Sequence, residues 1–254
     1  MKSNVLRALL LFIVVTILIQ VFYSVMASFN LWGDGNYFPK GYAVHILYYL
    51  SILFVTFLFI GKIDFAAVGL KSVASWKNYL LIGLLFAFFH LGIRTVVAQG
   101  TFNRSYTLPL ELYIPAYVFV GLLIGLAEES AFRGYILKNF LEDHKPIFAI
   151  LLSSLLFGIY HINYLDLNFY SMSWWAFYAA QALTAGSFMG LLYYKTGGNL
   201  IGSITYHSSH IIIGQIMPWV PLIEAQHLLA ISTTINVIQA IILMYLPIDA
   251  RSGK

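Results

Sequence analysis

Runs of about 20 predominantly apolar residues recur along this chain, and no other feature narrows its fold so far, because such a run is what an α-helix needs to cross a ~30 Å hydrocarbon core. Eight segments qualify, roughly 5–27, 42–61, 78–98, 113–138, 146–163, 173–194, 198–218 and 226–247. Composition agrees: of 254 residues, 60% are hydrophobic and 9% charged. None of the segments shows the ten-residue alternation of a barrel strand. The expected fold class is therefore all-α, a polytopic membrane helical bundle of about eight transmembrane helices. Without an internal linker or repeat, 1–254 reads as one membrane domain.

The basic residues give the expected orientation. With the N-terminus inside, Lys2, Arg7, Lys62, Lys71, Lys77, Arg133, Lys138, Lys145, Lys195, Arg251 and Lys254 fall on the cytoplasmic side, against Lys40, Arg94 and Arg104 outside. The bias predicts that both termini are cytoplasmic. The same bias accounts for the net charge of +4 without a nucleic-acid partner. The first run is preceded by Lys2 and Arg7 and followed by "VMA", as in a signal peptide, but it is long for an h-region and is read as a retained helix. No cysteine is present, which removes disulfides, thiol nucleophiles, cysteine-held metals and lipidation at cysteine. The segment 62–78 fits either an interfacial amphipathic helix or a solvated loop, and 94–113 reads as an outer loop.

Ionisable groups inside a membrane span cost several kcal/mol unless paired or wet, so each is a functional hypothesis. "GLAEESAFRGYIL", residues 125–137, places Glu128, Glu129 and Arg133 on the fourth segment, while His161 lies on the fifth and His207 and His210 on the seventh. At 1.5 Å per residue, Glu128, His161 and His207 lie about 15, 22 and 14 Å from the same membrane side. Three segments distant in sequence thus bring polar groups to a similar depth, as a buried site requires. Glu129 and Arg133, four apart, can pair on one helix face, leaving Glu128 free on another with Phe132. His207 and His210, three apart, can aim at one point. A carboxylate held beside imidazoles in an apolar pocket suits a general base acting on water. Two glutamates and several histidines also fit zinc ligation, although the spacing is not "HExxH". No "GxSxG" accompanies them, so a serine nucleophile is unsupported.

His45 and His90 read as structural histidines on apolar spans, and His144 and His227 as solvated groups near span ends. The aromatic residues, "SWW" at 173–175 among them, read as lipid-facing or interfacial.

"EESAFR" with Glu128, Glu129 and Arg133, then "FGIYH" with Phe157 and His161, then "NLIGSITYHSSH" with His207, resemble the three ordered motifs of the CAAX prenyl endopeptidase and bacteriocin-processing (CPBP) membrane protease family. The resemblance covers about 112–218, a catalytic core to which 1–111 adds further spans. It implies a glutamate-type, metal-independent intramembrane endopeptidase without a cofactor. Glu128 would activate water, His161 would assist, and His207 would stabilise the oxyanion. Glu129 and Arg133 would support them, with Phe157 and His210 beside the site. The family's third motif commonly carries Asn four residues after its histidine, where this chain has Ile211. His210 is the nearest substitute. The implied partners are a lipid bilayer and a substrate that is a prenylated tail, a peptide pheromone, a bacteriocin precursor or another membrane protein. The expected location is a bacterial plasma membrane. Family members associated with bacteriocin immunity or membrane scaffolding give a non-enzymatic alternative.

Overall fold

The computed structural model describes residues 3–29, 42–71, 73–98, 101–102, 110–162, 172–216, 219–220 and 225–248. Lys2, Lys40, Arg104, Arg251 and Lys254, used above for orientation, lie outside them, as do the side chains of Trp174 and Trp175.

Each of the eight apolar segments forms helix: α1 (Ser3–Ser28), α2 (Tyr42–Ile60), α3 (Trp76–Ala98), α4 (Leu110–Glu129), α6 (Pro146–Tyr160), α7 (Met172–Lys195), α8 (Ile201–Ile216) and α9 (Ala225–Tyr245). The fourth segment is not the single α-helix its apolar run predicts. It passes at Ser130–Leu137 into a π-helix and then into the short α5 (Lys138–Asp143). Two-residue strands β1 (Thr101–Phe102) and β2 (Trp219–Val220) pair antiparallel beyond α3 and α8. Among the described residues, five helical stretches are long and apolar enough to cross a membrane: Ser3–Ser28, Tyr42–Ile60, Trp76–Val97, Ile114–Asp143 and His227–Tyr245. The protein is thus integral to a membrane.

α1 shows how a helix that is apolar all round divides its surface. Ala8, Leu11, Val15, Ile19, Phe22 and Met26 are buried at helical spacing, while Leu6, Leu10, Ile13, Ile17 and Val21 form an exposed stripe. Equivalent stripes on α2 (Leu47, Leu50, Phe54, Leu58) and α6 (Ile147, Phe148, Leu151, Leu155) complete an apolar belt. In water such a surface would be a liability, whereas lipid solvates it.

Because lipid removes the hydrophobic drive for helices to associate, close packing of small residues has to supply it. α4 presents Gly121 and Gly125 to α8, and a Cβ on Gly125 would stand 2.2 Å from Ser208 Oγ. This contact brings the helix that ends in two glutamates against the helix that carries His207. α7 lies between α6 and α9, and the π segment touches α1, α2, α6 and α7 from the centre of the bundle.

All eight π residues are buried. Side chains supply donors to its carbonyls, Ser153 Oγ to Phe132 O at 3.2 Å and Asn139 Nδ2 to Tyr135 O at 2.8 Å. The described residues 62–71 and 73–75 form turns and extended chain and not an interfacial helix. Here Asp64 pairs with Lys62 at 2.7 Å and accepts from Ala67 N at 3.0 Å, which lowers the carboxyl pKa. Val68 is fully buried where a Cβ on Gly134 would stand 2.5 Å from its carbonyl oxygen. That plug holds the chain against the π segment, which a helix lying flat on the surface would not do.

Candidate active site

Glu128 and Glu129 end α4, and both are buried, at 3% and 0% exposure. Arg133 Nη1 lies 2.9 Å from Glu129 Oε1, Arg133 Nη2 donates to Gly186 O at 3.2 Å, and the guanidinium stacks 4.3 Å from the Phe157 ring centroid. The spacing-based pair is thus present, with two partners that spacing alone does not show. Gly186 leaves room for this approach, since a Cβ there would stand 3.3 Å from Arg133 Nη2 and 3.3 Å from Phe157.

His161 follows the last residue of α6, where helix carbonyls lack intrahelical donors. Its Nδ1 lies 2.7 Å from Phe157 O. A carbonyl only accepts, so Nδ1 carries the proton and Nε2 is the bare nitrogen of the neutral ring. Nε2 faces Glu128 Oε2 at 3.9 Å. The ring packs edge-on to Phe157 (4.4 Å) and Tyr160 (5.0 Å), which fixes its plane.

His207 arrives from α8 with its Nδ1 likewise turned to an acceptor. Its Nδ1 is 2.9 Å from Glu129 Oε1, and with that carboxylate paired to Arg133 the bond is made by Nδ1–H donating. Its Nε2 then faces Glu128 Oε2 at 3.8 Å. His207 therefore bridges the two glutamates, and Glu129 touches both Arg133 and His207. Spacing within one helix pairs Glu129 with Arg133 but says nothing of its contact with His207, 78 residues away.

Glu128 is held from its other oxygen. Tyr160 Oη donates to Glu128 Oε1 at 3.3 Å, and Tyr160 Oη in turn contacts Tyr48 Oη of α2. Among the described residues Glu128 Oε2 has no hydrogen-bond partner. Tyr160 and Tyr48 are the residues the sequence reading missed. Tyr160 stood inside the quoted "FGIYH", whereas nothing in the sequence marks Tyr48 among 18 tyrosines.

These groups open on a cavity of about 330 Å³. Its wall includes Glu128, Phe157, His161, His207, His210 and Ile211, with Tyr23, Tyr49, Tyr178 and Gln181 from α1, α2 and α7. His210 also lines the cavity. It packs edge-on against His90 at 4.5 Å, and no hydrogen bond among the described residues joins it to either glutamate. His90, read as structural, is fully buried, with Nδ1 3.1 Å from Tyr206 Oη, in a network with Asn236 and Gln239 of α9. His45 packs on Phe22 at 4.8 Å. Among the described residues, no group of three or more His, Cys, Asp or Glu side chains is spaced to hold a metal ion.

The arrangement offers a buried carboxylate oxygen with no partner, two imidazole nitrogens aimed at it, and space in front. Separations of 3.8 and 3.9 Å exceed a hydrogen bond and suit one intervening water. Residues 109–213 match the family model described as Rce1-like, the type II CAAX prenyl endopeptidases. The match spans all three motifs and bears out the resemblance read from them. No curated protein gives a significant match to the chain.

Proposed function

We propose that this protein is a membrane-embedded endopeptidase of the glutamate type. The observation that carries the reading is the unpartnered Glu128 Oε2, faced by His161 Nε2 and His207 Nε2 inside the cavity. The matched family is a protease family, which supports a peptidase at the level of the family.

In this reading a water bound between Glu128 Oε2 and His161 Nε2 gives one proton to the carboxylate as its oxygen attacks the scissile carbonyl. The developing oxyanion faces His207. A protonated His207 has Nε2–H to donate, and Glu129 at Nδ1 stabilises that imidazolium as an orienting carboxylate does in a catalytic triad. The proton on Glu128 passes to the leaving amine. Arg133 compensates the charge of Glu129, so that the site holds two glutamates in one apolar region. Tyr160 fixes the Glu128 carboxyl by one oxygen, keeping the other toward the water. Neither metal nor cofactor enters the scheme, and zinc held by Glu128 and the histidines is the alternative that a chelator tests.

The substrate is a peptide or the tail of a membrane-associated protein, with only the residues around the scissile bond entering the cavity, whose volume is at the lower end for a binding site. The eight apolar helices are read as eight spans in one domain. Residues 112–218 form the catalytic core, both termini are cytoplasmic, and the membrane is a bacterial plasma membrane. Ile211 on the cavity wall supports a second reading. An apolar side chain there gives the oxyanion no second donor, and a lost donor of this type costs about 10²–10³ in rate. A slow or inactive chain would instead act in bacteriocin immunity or as a membrane scaffold. Comparing peptide termini in cells carrying wild type and Glu128→Ala separates the two. New termini that depend on Glu128 identify the enzyme and its substrates, and identical profiles leave the scaffold.

A further inference from the structure

A second cavity, of about 300 Å³, lies away from the glutamates, at the opposite end of the π segment. Three parts of the chain wall it: Ala67, Gly69 and Lys71 of the turn segment, Lys138 and Leu141 of α5, and Tyr193 and Tyr194 at the end of α7 with Gly197 and Gly198 just beyond it. The parts are cross-braced. Lys138 Nζ donates to Ala67 O at 3.0 Å, Asn199 Nδ2 to Lys71 O at 3.1 Å, and Leu200 N to Gly69 O at 3.0 Å. Gly197 and Gly198, with φ of 68° and 80°, turn the chain sharply enough to close the wall.

Two lysines, Lys71 and Lys138, thus line one small cavity, and no carboxylate is among its described lining residues. Two acids of the same segments are engaged elsewhere, Asp64 with Lys62 and Glu142 with Asn4 Nδ2 at 2.7 Å. Lys138 spends one of its three donors on Ala67 O, leaving two for a ligand. Two lysines on the wall of one cavity favour an anion within reach of both. The cavity also sits where the apolar belt ends, at the end of the bundle that carries Lys62, Lys77, Lys145 and Lys195, and Tyr194 is 45% exposed beside it. Basic pockets between helices at this level are suited to anionic headgroups.

We propose that Lys71 and Lys138 bind a phosphate group here, with the headgroup of an anionic phospholipid as its source. The site is independent of the proposed peptidase chemistry and has a structural consequence for it. An anion bridging Lys71 and Lys138 fastens the turn segment, whose Val68 supports the π segment and whose Gly69 holds the start of α8, the helix of His207.

The test uses the full chain in detergent with dioctanoyl phosphatidylglycerol, dioctanoyl phosphatidylcholine and inorganic phosphate as probes, read by titration calorimetry. Phosphatidylglycerol should bind at least tenfold more tightly than phosphatidylcholine. Lys71→Ala with Lys138→Ala should weaken it about thirty-fold, at ~1 kcal/mol per lysine near a charged headgroup. Lys71→Arg with Lys138→Arg should retain binding, as should Lys77→Ala with Lys145→Ala, which removes the same charge from the same end. Inorganic phosphate binding as tightly as the lipid, and lost in the same double alanine variant, would support the site with free phosphate as its source. Unchanged lipid binding by a folded Lys71→Ala, Lys138→Ala protein overturns the proposal. So does an equal loss in the Lys77→Ala, Lys145→Ala protein, since binding would then follow net charge and not the cavity.

Discussion

Arg133→Ala isolates the support of the site from its chemistry. Arg133 is 1% exposed and satisfied by Glu129 Oε1, Gly186 O and the face of Phe157. Truncation leaves the Glu129 carboxylate buried with His207 as its one remaining partner among the described residues, and breaking a buried pair from one side costs about 3–5 kcal/mol. The hydrogen bond to Gly186 and the stacking on Phe157 are lost too, but these contributions are not additive, so the range is kept as it stands. At about 2–4 °C per kcal/mol for a chain of this size, the melting temperature should fall by about 6–20 °C. Scanning fluorimetry of the purified protein at fixed detergent and lipid reads this directly. Adding Glu129→Gln to Arg133→Ala removes the stranded charge while keeping an amide oxygen for His207 Nδ1, and should recover at least half of the loss. An Arg133→Ala protein that melts within about 2 °C of wild type would refute the reasoning, as would a double variant less stable than the single one.

Three further outcomes follow from the geometry. Gly125→Leu should displace α8 from α4, because even a Cβ would stand 2.2 Å from Ser208 Oγ; overpacking of this kind costs about 1–3 kcal/mol, and proteolysis should drop by more than tenfold as the 2.9 Å contact between Glu129 and His207 opens. Ile211→Asn adds a donor to the cavity wall and should raise the rate of peptide cleavage at unchanged thermal stability. Cleavage should persist in chelator with no recoverable zinc in the purified protein, whereas loss in chelator and recovery with zinc would move the chemistry to a metal-bound water.

What the sequence made legible follows the range over which each signal acts. Apolar runs report helices one at a time, and each of the eight runs contains helix, five of the helical stretches being long and apolar enough to span, with α1 divided into a buried and an exposed stripe. Matched depths of Glu128, His161 and His207 anticipated a shared site, and the three meet within 4 Å of Glu128 Oε2. Contacts within a helix, such as Glu129 with Arg133, follow from spacing. The rest depended on packing between helices. His207 reaching Glu129, Tyr48 reaching Tyr160, and His210 turning to His90 are set by which faces α2, α3 and α8 present to the π segment and α6, which periodicity leaves open. The π segment itself was hidden, because Ser130–Leu137 continues the apolar pattern of α4, and its wider turn shows only in the i→i+5 bonding. Val68 and Gly134 carried no signal until the turn segment and the π segment were seen in contact.

The central claim is that Glu128 acts as a base on water, and Glu128→Gln tests it most directly. The amide keeps the shape of the carboxyl and its bond from Tyr160 but takes no proton. Termini of membrane-associated proteins, compared between cells making wild-type and Glu128→Gln protein at equal abundance, give the readout. The account predicts that a set of cleaved termini disappears entirely while the variant stays folded and in the membrane. The same set of termini, at undiminished abundance, would contradict it.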